Sequence, residues 1–252
     1  MDLPWITCVC VSKARPFFLQ RAIDHFQAQT YPNKDLVIIY EGNYESLNGD
    51  TSPNEKIKVV RLPNGSMLTL GERRNISIQH CKGEYFCQWD DDDWYHNRRL
   101  EFQMSALVQS GRPACVLSRL ILYDGMKCRA YLSSERYWEG TLLCRTNLIN
   151  DAIRYPHINR SEDNSLVVSL VRRDHVHTLS APYLYAYFFH GRNTWEQTHF
   201  DQLFQAGYAL DDKANKVMKE IFFEDGITEA SERVEQLNLD VSYDKHSTGD
   251  TI

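Results

Sequence analysis

The sequence predicts an α/β fold: a mainly parallel sheet flanked by helices, followed by a smaller antiparallel region and C-terminal helices. Three observations carry this expectation. Apolar, β-branched runs alternate with helical patterns over roughly the first 110 residues, the arrangement that builds parallel sheets through crossover connections. The length, 252 residues, suits one large domain or two small ones. The composition, 42% hydrophobic and 25% charged, is that of a globular chain and excludes disorder, collagen-like repeats and coiled coil as its main character.

The elements follow in order. Trp5 to Val11 is a short apolar run that reads as a buried strand. Phe18, Leu19, Ala22, Ile23 and Phe26 then share one helical face, with Pro16 suited to the first turn and Tyr31-Pro32-Asn33 closing the segment. Asp35–Tyr40 is a second strand, 41–55 a polar loop, and Lys56–Leu62 a third strand. Pro63-Asn64-Gly65 turns the chain into a helix over Leu70–Cys81, which Lys82-Gly83 stops. Glu84–Trp89 is a fourth strand, and it runs directly into Asp90-Asp91-Asp92-Asp93 ahead of a helix from Asn97 to Ser110. Cys115–Tyr123 and Lys127–Leu132 are expected to pair as a hairpin around Asp124-Gly125. Leu142–Cys144 is a short strand, Glu162–Arg172 a helix, Leu184–Phe189 a strand, Asp201–Phe223 mostly helix with a break near Gly207, and Ile227–Leu237 one more helix. The stretch 243–252 is polar and reads as a frayed end.

In parallel sheets ligands bind beyond the carboxyl ends of the strands. The loops 11–15, 40–43 and 90–93 all follow strands and should gather on one edge. The remaining global features narrow the class. Lys plus Arg is 28 and Asp plus Glu is 34, a net charge of −6, so the chain does not coat nucleic acid by bulk charge, although a local basic patch stays open. No apolar stretch approaches the roughly 18–20 residues that span a bilayer. The start Met1-Asp2-Leu3-Pro4-Trp5 lacks a signal-peptide pattern. Seven scattered cysteines without a C-x-x-C pair read as structural thiols of a reducing compartment. The expected location is cytoplasmic or peripheral at an inner membrane face.

Four consecutive carboxylates at a strand end repel one another, by about 1 kcal/mol per pair at 4 Å in water and about 4 at an effective dielectric of 20. Capping the next helix would use one or two of them. A hard divalent cation, Mn2+ or Mg2+, removes the repulsion and gives the whole cluster a reason.

With these residues in place the chain resembles the family 2 glycosyltransferases over roughly residues 4–200. Gln29-Thr30-Tyr31-Pro32 is similar to that family's Q-T-Y-P turn, and Gly71-Glu72-Arg73-Arg74-Asn75 to its A-R-N segment. Lys82-Gly83-Glu84-Tyr85 followed by Asp90–Asp93 is similar to the approach to its D-x-D motif, Glu162-Asp163 with Leu166 to its E-D-x-x-L motif, and His190-Gly191-Arg192-Asn193-Thr194 to its late H-x-x-N segment. The resemblance implies a GT-A fold over 1–206, divided into a nucleotide-binding half (1–94) and an acceptor-side half (95–206), with C-terminal helices and tail over 207–252. It implies transfer of one sugar from a nucleotide-diphosphate sugar, a UDP-sugar being favoured, to an acceptor hydroxyl on a glycan or glycoconjugate. The reaction would be inverting and divalent-metal dependent. It leaves the oligomeric state open.

The resemblance also assigns residues. Asp92 would be the principal metal ligand, with Asp90 at the ribose or metal, Asp91 at the nucleotide, and His190 a third metal or diphosphate contact or a structural side chain. Asp93 would either join the cluster or cap the next helix. Asp163, or else Glu162, would be the base on the acceptor hydroxyl. Ser12, Lys13 and Arg15 would hold the nucleotide, with Glu41 and with Arg74 and Asn75 toward the base. Trp138 and Glu139 open the acceptor side, Trp138 either stacking on sugar or packing in the core. The chain departs from the pattern at Tyr40-Glu41-Gly42-Asn43, where Asp-Asp-Gly-Ser is common, at Val11 for Pro, and at Ser161 for Gly. The Q-x-x-R-W signature of processive synthases is absent. A sugar nucleotidyltransferase would carry a Gly-rich first loop, which Ser12-Lys13-Ala14-Arg15 is not. A non-catalytic carbohydrate- or nucleotide-binding module is the other alternative.

Overall fold

The computed structural model describes residues 3–42, 56–223, 227–237 and 239. Most of the polar loop expected at 41–55 and the whole tail expected at 243–252 lie outside them.

The apolar run ITCVCV forms β1 (Ile6–Lys13), buried along nearly its whole length. It is flanked in parallel by β2 (Lys34–Glu41) and β4 (Tyr85–Gln88), and β3 (Ile57–Leu62) continues the parallel sheet beyond β2. Between them, α1 (Pro16–Gln27) starts on its proline and buries Leu19, Ala22, Ile23 and Phe26. Helix α2 (Leu70–Gln79) opens with a capping box, in which the Thr69 hydroxyl accepts from the Glu72 N–H and the Glu72 carboxylate accepts from the Thr69 N–H. After the short β5 (Trp94–Tyr95), α3 (Arg99–Ser110) ends at Gly111, whose φ of 66° is the left-handed value a glycine accommodates freely.

The second part holds β6 (Ala114–Leu117), β7 (Ile121–Asp124), β8 (Arg129–Leu132), β9 (Trp138–Arg145), α4 (Glu162–Val171), β10 (Val176–Leu179), β11 (Tyr185–Phe189), α5 (Gln197–Ala206), β12 (Tyr208–Ala209), α6 (Asp212–Phe223) and α7 (Ile227–Glu235). Among the described residues a seven-stranded sheet runs in the order β10-β6-β9-β4-β1-β2-β3, and only β9 is antiparallel to its neighbours there. A five-stranded sheet runs β12-β8-β7-β11-β5. Helices α6 and α7 close the outer face of this second sheet, where Met218 and Val234 are fully buried beside Trp94, Tyr123 and Phe188. Each such side chain contributes about 1.5–3 kcal/mol.

Several expectations are corrected. Cys115–Tyr123 is not one strand: the chain bends at Ser118–Leu120, so β6 stays in the large sheet while β7 enters the small one and makes the expected hairpin with β8. Leu142–Cys144 belongs to the second half of the longer β9, which wedges between β4 and β6. The helix expected from Asn97 begins at Arg99, and the region 201–223 is two helices separated by β12 at the Gly207 break. The strands β5, β10 and β12 were not foreseen. All seven cysteines are free thiols, five of them buried, as expected of structural residues. Among the described residues no helix is long and apolar enough to cross a membrane.

The register positions the site. Lys13 pairs with Glu41, and the Ala14 N–H donates to the Glu41 carbonyl at 2.9 Å. The Ser12 hydroxyl reaches Asp91 at 2.6 Å. The loops after β1, β2 and β4 therefore meet on one edge, as the strand order requires.

Candidate active site

The four aspartates point to different partners. Asp90 accepts from Arg74 Nη2 at 3.0 Å, and its own carbonyl accepts from the Tyr95 hydroxyl. Asp91, buried, accepts from Ser12 and stands 3.6 Å from Arg15. Asp92 Oδ2 accepts from Arg15 Nη1 at 2.6 Å and faces His190 Nε2 at 3.1 Å. Asp93 turns into the protein, accepting from the Tyr185 hydroxyl and from the Phe188 N–H at 3.0 Å. The capping alternative for Asp93 is thereby corrected, because α3 begins only at Arg99 and Asp93 instead ties β11 to the cluster.

Their protonation diverges for stated reasons. Burial and then the charge of Asp92 raise Asp91 to about 7. Burial, with Asp92 and Asp90, holds Asp93 well above the usual carboxylate range. Burial also pushes Asp92 upward, but His190 and Arg15 outweigh it and keep this carboxyl below its ordinary value. His190 Nδ1 accepts from the Arg192 N–H at 3.3 Å, while its Nε2 faces Asp92. The Phe18 ring packs on the other side of the imidazole at 4.5 Å.

Hard oxygens and an imidazole suit Mn2+ or Mg2+ in kind. In position they do not. Among the described residues no three His, Cys, Asp or Glu side chains converge to hold an ion. Arg74 is drawn to Asp90, and Arg15 and His190 to Asp92. The expected set Asp90, Asp92 and His190 shares one neighbourhood, in which Arg74 pairs with Asp90 and Arg15 with Asp92.

The Glu-Asp pair is brought up from the opposite side. The segment before α4 docks on α2 through Gly71 N–H to the Ile158 carbonyl (3.0 Å) and Leu70 N–H to Asn159 Oδ1 (2.9 Å). Ser161, at φ 59°, then turns the chain into α4 in a left-handed conformation, where glycine is the easier residue. Glu162 is buried and accepts from Arg74 Nε at 2.9 Å. Burial raises its pKa against the pull of Arg74. Asp163 carries one carboxylate oxygen on the Asn164 N–H at 2.8 Å and faces the open space.

That space is two adjoining cavities. The smaller, about 110 Å³, is walled by Arg15, Arg74, Asp90–Asp93, Arg160 and Glu162. The larger, about 230 Å³, is walled by Arg136, Trp138, Glu139, Asn164 and Tyr185. Asp90, Asp93, Asp163, Tyr187 and Trp195 belong to both walls. Glu139 is held by Arg136 at 2.7 Å and by Asn164 at 2.8 Å. Trp138 is buried in the main apolar cluster and also lines the larger cavity under Arg136.

Three expected residues stand elsewhere. Asn75 spends both ends of its amide on the Tyr155 backbone, at 2.8 and 3.1 Å, and lines a separate groove with Ile149 and His157. It lines neither of the two cavities. Lys13 and Glu41 pair at 3.1 Å, and Glu41 also holds Arg73 at 2.6 Å and the Gly65 N–H at 3.0 Å. This group lies along the β1–β2 edge and lines neither cavity. The residues missed from sequence are Arg136, Arg160, Asn164, Tyr187 and Trp195. Arg160 and Asn164 flank the Glu-Asp pair, and Trp195 follows the His190–Thr194 segment, so proximity to a motif was their available signal.

The profile described as "Glycosyl transferase family 2" matches residues 7–167, well over half of the chain. A Rickettsia felis protein named as an uncharacterized glycosyltransferase is 34% identical over 93 residues, covering 36% of this chain and 15% of that protein. A Haemophilus influenzae protein of the same description is 25% identical over 114 residues, covering 44% and 45%. The chain thus spans 15% of the length of the first relative and under half of the second. Among solved structures, S. aureus TarS in complex with UDP-GlcNAc superposes with a TM-score of 0.59 at 13% identity, covering 91% of this chain and 70% of that one. The mannosyltransferase of Pyrobaculum calidifontis, in complex with GDP-Man and Mn2+, gives 0.56 at 12% identity, covering 75% and 58%. These likenesses bear on the fold, which is the GT-A arrangement expected from the sequence.

Proposed function

The chain belongs to glycosyl transferase family 2, and from that premise we propose that it moves one sugar from a nucleoside-diphosphate sugar to an acceptor hydroxyl, with inversion at the anomeric carbon. The observation that carries this is the position of Asp163 in the wall common to two cavities. The donor occupies the smaller, charged cavity and the acceptor the larger, aromatic one. Residues 1–94 and 95–206 share the donor side, Arg15, Arg74 and Asp90–Asp93 facing Arg160, Glu162, Asp163 and Trp195, while apart from Asp90 and Asp93 the acceptor side comes from 95–206. The nucleoside extends from the small cavity along the β1–β2 edge toward Lys13 and Glu41.

In the reaction the acceptor oxygen forms a bond to the anomeric carbon as the bond from that carbon to the diphosphate breaks. Asp163 takes the hydroxyl proton, and the nucleoside diphosphate leaves. Glu162 is not the base in this reading, since Arg74 holds its carboxylate in a buried pair. Arg160 stands in the small cavity as a cation for the leaving charge, beside Trp195. The aromatic walls of Trp138, Tyr187 and Trp195 suit the faces of sugar rings, which supports a glycan or glycoconjugate acceptor. The UDP-GlcNAc complex of TarS supports a UDP-sugar donor, and the Mn2+ of the Pyrobaculum enzyme supports a divalent requirement, although among the described residues no three such side chains converge on an ion.

Asp163→Asn tests the reading, because it removes only the proton acceptor. Turnover of UDP-sugars should fall about 10²–10⁴-fold. Calorimetric affinity for UDP should stay within about twofold. A transfer rate within a few-fold of wild type would show that another group is the base.

A further inference from the structure

Arg15 is aimed at the acid cluster by its own backbone. Ala14, just before it, sits at φ 50°, a left-handed conformation that costs a non-glycine residue energy. Pro16, just after it, fixes the start of α1. Arg15 occupies the N-cap position of that helix but makes no side-chain cap. Its guanidinium goes instead to Asp92 Oδ2 at 2.6 Å and Asp91 Oδ1 at 3.6 Å. Both carboxylates are largely buried, with 4% and 13% of their side chains exposed, whereas Arg15 retains 28%. The cation is the movable partner of the pair: it hangs on a long side chain open to the small cavity, while Asp91 is pinned by Ser12 and Asp92 by His190.

A held acid cluster with a singly charged tenant on a partly exposed side chain is a competitor's arrangement. The same oxygens cannot serve a guanidinium and a divalent ion together at these distances. We propose that Arg15 is a tethered counter-cation of Asp91 and Asp92, occupying the place a divalent ion would take, so that such an ion binds only as Arg15 withdraws. This rests on the donor-site reading above. Apparent ion affinity is then the intrinsic affinity reduced by the fraction of molecules in which Arg15 has left the cluster. The diphosphate of a donor gives the displaced guanidinium a new anionic partner, so nucleoside diphosphate and ion should favour each other through Arg15.

The test is titration of the whole chain with Mn2+ alone, with free ion followed by electron paramagnetic resonance. Arg15→Ala should bind Mn2+ at least about tenfold more tightly than wild type. Arg15→Gln, which keeps the loop filled should alanine lower stability, should behave the same way, and Arg15→Lys should stay close to wild type. Adding UDP should tighten Mn2+ more in wild type than in Arg15→Ala. Equal or weaker Mn2+ binding in both neutral variants, in protein that still binds UDP, overturns the inference and leaves the donor-site reading standing. Failure of wild type and variants alike to bind Mn2+ or UDP overturns both.

Discussion

Arg74 shows at the scale of one residue what the site's charges ask of each other. It is buried, with Nε on Glu162 at 2.9 Å and Nη2 on Asp90 at 3.0 Å, and its guanidinium lies over the Tyr155 ring. Burial alone would disfavour its charge, yet the two carboxylates hold it well above even the usual arginine value. Removing one partner of a buried pair strands the other, at a cost of about 3–5 kcal/mol. Asp90 is partly open to water and recovers some solvation. Arg74→Ala should therefore lower unfolding free energy by about 3 kcal/mol in urea titration. Combining Arg74→Met with Glu162→Gln should restore part of it, since the stranded charge is gone. An unchanged urea midpoint for Arg74→Ala would mean the bridge carries no net stability. The sequence made the carboxylates legible, since four aspartates in a row and an adjacent Glu-Asp pair are local patterns. It did not reveal their cations. Arg15 and Asp92 are 77 positions apart and Arg74 and Glu162 are 88, so no spacing rule joins them. That is why Asp90, Asp92 and His190 are legible as a group while the arginines paired with Asp90 and Asp92 are not.

Element by element, the strands that were legible are those whose residues alone account for them. The runs in β1 and β2 are buried on both faces and read as continuous apolar stretches. Strands β5 and β12 have two residues each and exist only because a partner strand is already in place. Strand β9 hides because Glu139-Gly140-Thr141 interrupts its apolar pattern, and those positions are where it lines the larger cavity. The contact of α2 with the segment before α4 was equally hidden, and it sets the position of the Glu-Asp pair. A Cβ on Gly71 would overlap the Pro156 carbonyl oxygen, come within 3.0 Å of its carbon, and touch the Glu162 Cβ at 3.4 Å. Gly71→Ala must push the two elements apart. Overpacking of this kind costs about 1–3 kcal/mol. Displacing a reacting group by about 1 Å costs on the order of 100-fold in rate. A lowered melting temperature together with reduced transfer is expected. A variant that melts and turns over like wild type would show that the approach is slack.

Across the whole molecule the two sheets meet at α1, and His25 stands in the joint. Its ring is buried, 6.2 Å from Trp94 and 6.0 Å from Tyr95, the two residues of β5 that begin the second sheet. Trp94 belongs to the apolar cluster under α6 and α7, while Tyr95 belongs to the main cluster under the large sheet. Burial, helped by Arg21, lowers the His25 pKa from 6.5 to about 3. The unfolded chain therefore binds a proton between these values that the folded chain does not. Stability is fully present above about pH 6.5 and is lost as pH falls toward 3, by about 1.4 kcal/mol per unit at most from this group. The loss should be global, because a charged imidazole would have to leave the joint and part the two clusters. Denaturation at pH 7.5 and at pH 5 reads it directly. His25→Leu should flatten the pH dependence by about 1–2 kcal/mol between those points, whatever it does to stability at pH 7.5. A slope identical to wild type would place the acid sensitivity elsewhere and remove His25 from the joint's energetics.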